Sequence, residues 1–268
     1  MAKMRTRVVV ITGASSGIGR ATAIAWGKRR AKVVLSARSE SALGEVARAV
    51  EEAGGRALVE AGDVTVEADR VRLIGRATDA YGAIDVLVNN AGRGYYAAVR
   101  DIDPHELEAL FALNVVAPLR LAQLALPSLQ TSRGTIVMVS SIAGVVASPR
   151  MGAYAASKFA LEALSIALRA ESAASGVRVA VVRPGPVDTP FRAHSIANGV
   201  KAGVRPRGAK VQTAEDVADQ IVAAVERGRA VVETTAFVKA AAALARVAPG
   251  VFRHVAARMA AKEAAKEA

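Results

Sequence analysis

The stretch Val8-Val9-Val10-Ile11-Thr12-Gly13-Ala14-Ser15-Ser16-Gly17-Ile18-Gly19 decides how the rest of the chain is read. Four β-branched residues in a row suit a strand covered on both faces. A glycine turn follows at once, and an Ala-rich segment of helical character opens within it. Glycine removes Cβ where backbone must approach another group. A helix starting there aims its unpaired N–H groups and the positive end of its dipole at the turn. The product is a cradle for a diphosphate, with Gly13, Ser15, Ser16, Gly17, Ile18 and Gly19 around the anion. Three glycines alone make a tight turn; the strand-turn-helix setting is what gives G-x-x-x-G-x-G its meaning.

Outward from this point, short β-branched runs alternate with longer amphipathic segments. Strands are expected at 7–12, 31–36, 56–61, 84–89, 134–140, 177–183 and 230–233, and helices near 17–28, 39–53, 65–81, 103–125, 152–175 and 213–228. Gly54-Gly55 and Gly176 stand where helices should stop. The alternation predicts an α/β fold: a three-layer, doubly wound, mostly parallel seven-stranded sheet of Rossmann type. No Pro/Gly-rich linker divides it, so residues 1–236 are read as one domain. Pro184, Gly185, Pro186, Pro190, Gly199, Gly203, Pro206 and Gly208 interrupt the pattern, and a lid is expected at about 190–212. Residues 237–268 read as a C-terminal helical extension, two Ala-rich helices divided by Pro249-Gly250. Its apolar residues include Leu244, Val247, Val251, Phe252, Val255 and Met259, and Lys239, Arg246 and Arg253 recur seven apart. A helix capping the domain, an oligomer contact and a peripheral membrane contact all fit that pattern.

Composition narrows the chemistry. With no Cys, the chain has no disulfide, thiolate nucleophile or Cys-based metal site, and His105, His194 and His254 lie in no ligand spacing, so no metal is expected. Lys and Arg number 36 against 24 acids, a formal charge of +12. The excess is spread over Lys3, Arg5 and Arg7, over Arg192, Lys201, Arg205, Arg207 and Lys210, and over the tail. No DNA- or RNA-binding motif accompanies it, so no specific nucleic-acid partner is expected. The apolar run at 8–11 is too short for a signal core, and the uncharged stretch 134–149 is broken by Ser and Gly. A cytoplasmic protein is expected, with a peripheral membrane contact through the tail left open.

Two further places bear on the anion site. Strand two ends Leu35-Ser36-Ala37-Arg38, with no carboxylate where a ribose diol would need an acceptor. A guanidinium there offers a fork of donors to a 2′-phosphate, which favours NADP(H) over NAD(H). Asp63, before Val64, can accept from an adenine amino group; the small Ala91 and Gly92 would let the chain pass close to a ribose, and the Asn90 side chain can brace neighbouring strand ends. At the other end of the chain's logic, Tyr154 and Lys158 are four apart on an expected helix, hence on one face. Ser141 ends the fifth strand, at the edge where such sheets hold ligands. A carbonyl receiving hydride develops negative charge and needs a proton. A neutral phenol can supply it, a nearby ammonium eases its release, and a serine hydroxyl can orient the oxygen. Asn114, inside LFALNVVAPL, is a polar residue that invites a buried hydrogen-bonding role.

These residues together resemble the classical short-chain dehydrogenase/reductase family over about residues 7–235, as a longer-tailed member. Residues 12–19 match its cofactor turn, 89–92 its NNAG motif, and Asn114, Ser141, Tyr154 and Lys158 its catalytic set. The resemblance implies that Asn114 holds a water linking Lys158 to solvent. It also implies that Pro184, Gly185, Val187 and Thr189 form a cofactor-contacting turn, with Thr189 toward the nicotinamide, and that the lid selects a small carbonyl or alcohol substrate. It implies pairing through the long helices, as a homodimer or homotetramer. NADP-preferring members often carry a basic residue before Gly17; here it is Ser16, which leaves Arg38 as the principal basic determinant. An NAD(H)-dependent alcohol dehydrogenase and a non-catalytic cofactor-binding regulator are the alternatives.

Overall fold

The computed structural model describes residues 6–198 and 211–248, with positions 250, 251, 254, 257 and 258 beyond them. The elements in chain order are β1 (Val8–Thr12), α1 (Gly17–Gly27), β2 (Lys32–Ala37), α2 (Glu40–Glu52), β3 (Arg56–Ala61), α3 (Glu67–Tyr81), β4 (Val86–Asn89), β5 (Tyr95–Tyr96), α4 (Pro104–Phe111), α5 (Ala117–Ser132), β6 (Thr135–Val139), α6 (Gly152–Ser172), β7 (Arg178–Arg183), β8 (Ile196–Ala197), α7 (Ala214–Arg227), β9 (Val231–Glu233) and α8 (Ala236–Val247). Seven of the strands form one sheet in the order β3-β2-β1-β4-β6-β7-β9, and every pairing is parallel. The expected fold is therefore the observed one, with strand ends moved by one or two residues. The order reverses between β1 and β4, which opens a crevice beyond their carboxyl ends.

The apolar runs are continuous because both faces of the sheet are covered. Val9, Ile11, Val33, Leu35, Val86 and Val137 face Trp26, Leu43, Val46, Val217 and Ile221 of α1, α2 and α7. Val10, Val34, Leu87, Ile136 and Met138 face Leu73, Leu121, Leu129 and Leu161 of α3, α5 and α6. Gly54 and Gly176 end their helices with φ of 96° and 77°, a conformation glycine adopts without penalty.

Three expectations need correction. The helix expected at 103–125 begins after Asp103, whose carboxylate accepts from His105 N at 2.8 Å, passes through a π-helical turn at Ala112–Val116 and runs on to Ser132 past Pro127. Tertiary bonds hold its last turn: Ile84 N donates to Ser128 Oγ at 2.7 Å and Ser132 Oγ donates to Ile84 O at 2.7 Å. The lid is not irregular throughout. Pro190–Arg192 form a 3-10 turn, and β8 pairs in parallel with β5. Gly94 permits this packing, since a Cβ there would stand 2.6 Å from Ser195 Oγ. Residues 199–210, including Val200, Val204 and the basic Lys201, Arg205, Arg207 and Lys210, lie outside the described residues.

The tail is the third. α8 is capped by Thr235, whose Oγ accepts from Val238 N at 3.1 Å, while Phe252, Arg253, Val255 and Met259 lie outside the described residues. A peripheral membrane contact through the tail is not supported. Among the described residues, the helical run long and apolar enough to cross a bilayer is Pro104–Ser132, in mid-chain, and its α5 portion packs under the sheet.

Candidate active site

The crevice is a cleft of about 1500 Å³ that runs from Arg38 past the glycine turn to Tyr154 and α8. At one end the turn leaves β1 with Gly13 at φ 62° and enters α1 with Gly17 at φ 51°. A Cβ on Gly13 would lie 2.9 Å from Ala91 Cα, and one on Gly19 would run into the Gly13 carbonyl. Gly19 thus shapes the turn from behind, whereas Gly13, Ser15, Ser16, Gly17 and Ile18 line the cleft. The Ser16 side chain caps no backbone N–H, and the first turn of α1 carries no acid. The helix N-terminus is left as an anion site.

Asn90 and Thr12 hold the turn. Asn90 Nδ2 donates to Thr12 O at 2.9 Å and to Gly13 O at 3.2 Å. Thr12 Oγ1 accepts from the backbone N–H of Asn90 and Ala91, each at 3.1 Å. Beyond it, Asp63 Oδ1 accepts from Thr65 N at 2.8 Å and Thr65 Oγ1 at 2.7 Å, which leaves Oδ2 without a described donor. Val64, Ala91 and Gly92 line the same wall. Arg38 lies exposed at the rim and makes no ion pair with any described carboxylate. Pro184, Gly185, Val187 and Thr189 form the opposite wall. Thr189 is set against Gly17, where a Cβ would stand 3.2 Å from its methyl group, and Val187 bridges to Gln212.

At the other end β6 delivers Ser141 and α6 delivers Tyr154 and Lys158. Ser141 is extended and caps the 3-10 turn Ile142–Gly144, its Oγ accepting from Ala143 N at 3.1 Å, so its own proton is free to donate. Neighbouring Ser140 is buried, and its Oγ has no hydrogen-bond partner. Tyr154 is buried with its ring 5.9 Å from that of Phe191. Burial raises its pKa above the ordinary 10, and the hydrogen bond from Ser141 pulls it down. Lys158 is buried too, with Nζ donating to Val139 O at 3.0 Å and lying 5.9 Å from the centre of the Tyr154 ring. Burial lowers its pKa to about 8, while Glu162, one turn along α6, raises it. At pH 7 the amine is still mostly cationic. The expected easing of proton release by the ammonium thus meets an opposing desolvation effect, and the phenol holds its proton firmly.

Asn114 stands behind this pair in the π-helical turn, outside the cleft wall. Its Nδ2 donates to Arg93 O and Ser157 Oγ, each at 3.0 Å, and its Oδ1 accepts from Arg93 N at 3.1 Å. These three bonds tie the loop after β4 to α6 and leave one lone pair of Oδ1 free of a described donor. Widened turns of this kind occur often at functional sites.

Tyr95, Tyr96 and His194 are candidates for the site from the sequence, whereas Met151, Phe191, Phe237 and Ala241 are not. Tyr95 is buried in a satellite core, its hydroxyl accepting from Asp103 N at 2.9 Å, whereas Tyr96 lines the cleft. Met151, Phe191 and His194 line it as well, as do Phe237, Ala241 and Leu244 of α8. Of the last three, only Leu244 is among the apolar tail residues noted in the sequence, and its neighbours in the cleft are not. Arg183, at the end of β7, grips Glu162 with Nε–Oε1 and Nη2–Oε2 bonds of 2.9 and 2.8 Å and Glu233 at 2.7 Å. This buried bracket joins α6, β7 and β9. A lone Arg before Pro184-Gly185 gave no sign of it.

This fold and this cleft define an oxidoreductase of the Rossmann class. The family model described as short chain dehydrogenase matches residues 7–198, and the chain belongs to that family. The dehydrogenase/reductase SDR family member 7B of Bos taurus is 35% identical over 272 residues, covering 98% of this chain and 84% of that one. Two solved structures superpose well, each 26% identical. One is a short-chain dehydrogenase/reductase from Burkholderia phymatum in complex with NAD, with TM-score 0.82 over 92% of this chain and 95% of that one. The other is an alcohol dehydrogenase from the archaeon Thermococcus sibiricus complexed with 5-hydroxy-NADP, with TM-score 0.76 over 85% and 94%.

Proposed function

We propose that this chain interconverts a carbonyl and an alcohol by hydride transfer with a nicotinamide dinucleotide, NADP(H) in preference to NAD(H), and that Tyr154 is the general acid and base. The observation that carries the reading is the convergence of the Tyr154 phenol, the Ser141 hydroxyl and the Lys158 amine at the inner end of a cleft whose outer end is an anion cradle. Its residues fit the dinucleotide. Gly13 and Gly19 admit no Cβ, and Asp63 keeps an oxygen open for an adenine amino group. Arg38 stands unpaired where a 2′-phosphate would lie. The relatives with bound cofactor divide between NAD and an NADP derivative, so the preference rests on Arg38 and on the lack of an acid beside it.

When bound, the dinucleotide supplies the hydride for reduction and accepts it for oxidation. The chain's own residues handle the proton. Ser141 donates to the substrate oxygen and holds it beside the phenol. Tyr154, kept neutral by burial, donates its proton to the oxygen as negative charge develops there, and takes a proton from the alcohol in reverse. The Lys158 ammonium stabilises the resulting phenolate through the low-dielectric site. Gly92 brings backbone within reach of Lys158, since a Cβ there would stand 3.6 Å from Nζ. Lys158 would hold a ribose hydroxyl of the bound dinucleotide. Asn114 Oδ1 accepts one described hydrogen bond and keeps a second lone pair, with which it would hold the relay water that the family resemblance implies.

The enzyme acts as a homodimer, or as a tetramer built from it, in the cytoplasm. Val116, Phe159 and Ile166 are exposed on the long α5 and α6 segments and supply the apolar face for pairing. Assay of a panel of ketones and aldehydes with NADPH, and of the matching alcohols with NADP+, tests the reading. Turnover of at least one pair supports it; tight cofactor binding with no turnover across the panel overturns the catalytic assignment.

A further inference from the structure

The proposed chemistry leaves one end of the cleft unexplained. Beyond Tyr154 an apolar wall comes from three separate elements, with Ser148, Arg150, Arg192 and His194 lining the cleft from the same loops. Val146 and Met151 come from the loop before α6, Phe191 from the turn that touches Tyr154, and Phe237, Ala241 and Leu244 from α8. The last three are four and three residues apart, so they form one stripe along the helix, about 10 Å from first to last. Phe237 and Leu244 are 41% and 44% exposed although both are large and apolar. Their exposed surface belongs to the cleft, not to an unrelated face of the protein. Among the described residues, Asp63 is the only carboxylate that lines the cleft, and it sits at the end proposed for adenine. A total of about 1500 Å³ also exceeds the roughly 300–1,000 Å³ of a site that holds one drug-sized molecule.

We propose that the substrate is a carbonyl compound carrying a long aliphatic chain, with the carbonyl at Ser141 and Tyr154 and the chain laid past Phe191 along the Phe237–Ala241–Leu244 stripe of α8. This rests on the proposed oxidoreductase function and adds the substrate class to it. The reaction balances as the reduction of R–CO–CH₃ to R–CHOH–CH₃. One hydride adds to the carbonyl carbon from NADPH and one proton adds to its oxygen from Tyr154, leaving NADP+. The helix is then part of the substrate site rather than an appendage. α8 is seated on the turn after β7, where a Cβ on Gly185 would stand 3.0 Å from Val238 Cγ2.

The test uses the full chain loaded with NADPH and the methyl ketones from butan-2-one to dodecan-2-one. Turnover is followed by NADPH consumption, and ketone affinity is measured separately by calorimetry on the complex with NADP+. Each methylene leaving water raises kcat/KM and affinity by about two- to fourfold, up to the fourfold equivalent of ~0.8 kcal/mol, until the chain passes Leu244. Leu244→Asp and Phe237→Asp, both at exposed positions, flatten that slope, read within each variant as the ratio of its kcat/KM for decan-2-one to that for butan-2-one. Turnover of the short ketones with a flat or falling series overturns this inference and leaves the oxidoreductase reading standing. Affinity that climbs with chain length and is lost in Leu244→Asp, without turnover of any ketone, supports the binding surface and sinks the catalytic reading. A slope that persists in both variants removes α8 from the site and overturns the inference.

Discussion

Replacing Lys158 with Met should make the protein more stable at neutral pH while it stops catalysis. The amine is 4% exposed, and burial lowers its pKa from 10.5 to about 8. The folded state therefore binds the proton less tightly than the unfolded state. Folding is penalised in full below the folded pKa, and the penalty fades as pH rises toward the unfolded value. At ~1.36 kcal/mol per unit, the penalty is roughly 3 kcal/mol at pH 7 and roughly 1 kcal/mol at pH 9.5. Methionine has a similar length and no charge, and it forfeits only the bond from Nζ to Val139 O, worth about 1 kcal/mol. Lys158→Met should thus gain roughly 2 kcal/mol at pH 7 and less than 1 kcal/mol at pH 9.5. Urea unfolding of the two cofactor-free proteins at both pH values, at one protein concentration, measures this. A variant no more stable at pH 7, or a difference that does not shrink by about 2 kcal/mol between the two pH values, refutes the claim that the amine is buried at a cost. That cost is what a catalytic role would explain.

Arg38→Leu should raise the Michaelis constant for NADPH about tenfold, as expected for losing a charge-assisted contact to phosphate, and leave that for NADH unchanged. Equal effects on both, in steady-state assays, remove the phosphate role. Glu162→Gln takes away the carboxylate that raises the Lys158 pKa, so the alkaline fall in kcat/KM should move to lower pH. Stability should drop by roughly 1–3 kcal/mol because Arg183 loses one of its two carboxylate partners and keeps Glu233; an unshifted pH profile separates Glu162 from Lys158. Phe159→Glu together with Ile166→Glu should convert the assembly to monomers by light scattering, and an unchanged mass excludes this face as the contact.

Most of the framework was legible because its signals are local. Continuous runs such as Val8 to Ile11 mark strands buried on both faces, and the glycine turn marks its own helix start. Tyr154 and Lys158 share a helix face by spacing alone. The parts that escaped depend on contacts between distant segments. Pro127 sits inside a helix because Ile84 secures Ser128 and Ser132 from another part of the chain. The 190–198 segment pairs with Tyr95 and Tyr96 because Gly94 gives it room. The Glu162–Arg183–Glu233 bracket joins three elements and has no local signature. The tail could be read as Ala-rich helix, but only the fold shows that Phe237, Ala241 and Leu244 of α8 border the cleft.

The account stands on a buried phenol that gives and takes the reaction's proton, and Tyr154→Phe tests that most directly. The substitution removes one oxygen from a packed ring and leaves the anion cradle untouched. In single-turnover experiments with NADPH and a ketone the parent reduces, hydride transfer should slow by about 10²–10⁴, while the NADPH dissociation constant from fluorescence titration stays the same. Hydride transfer at an undiminished rate in the variant would contradict the account.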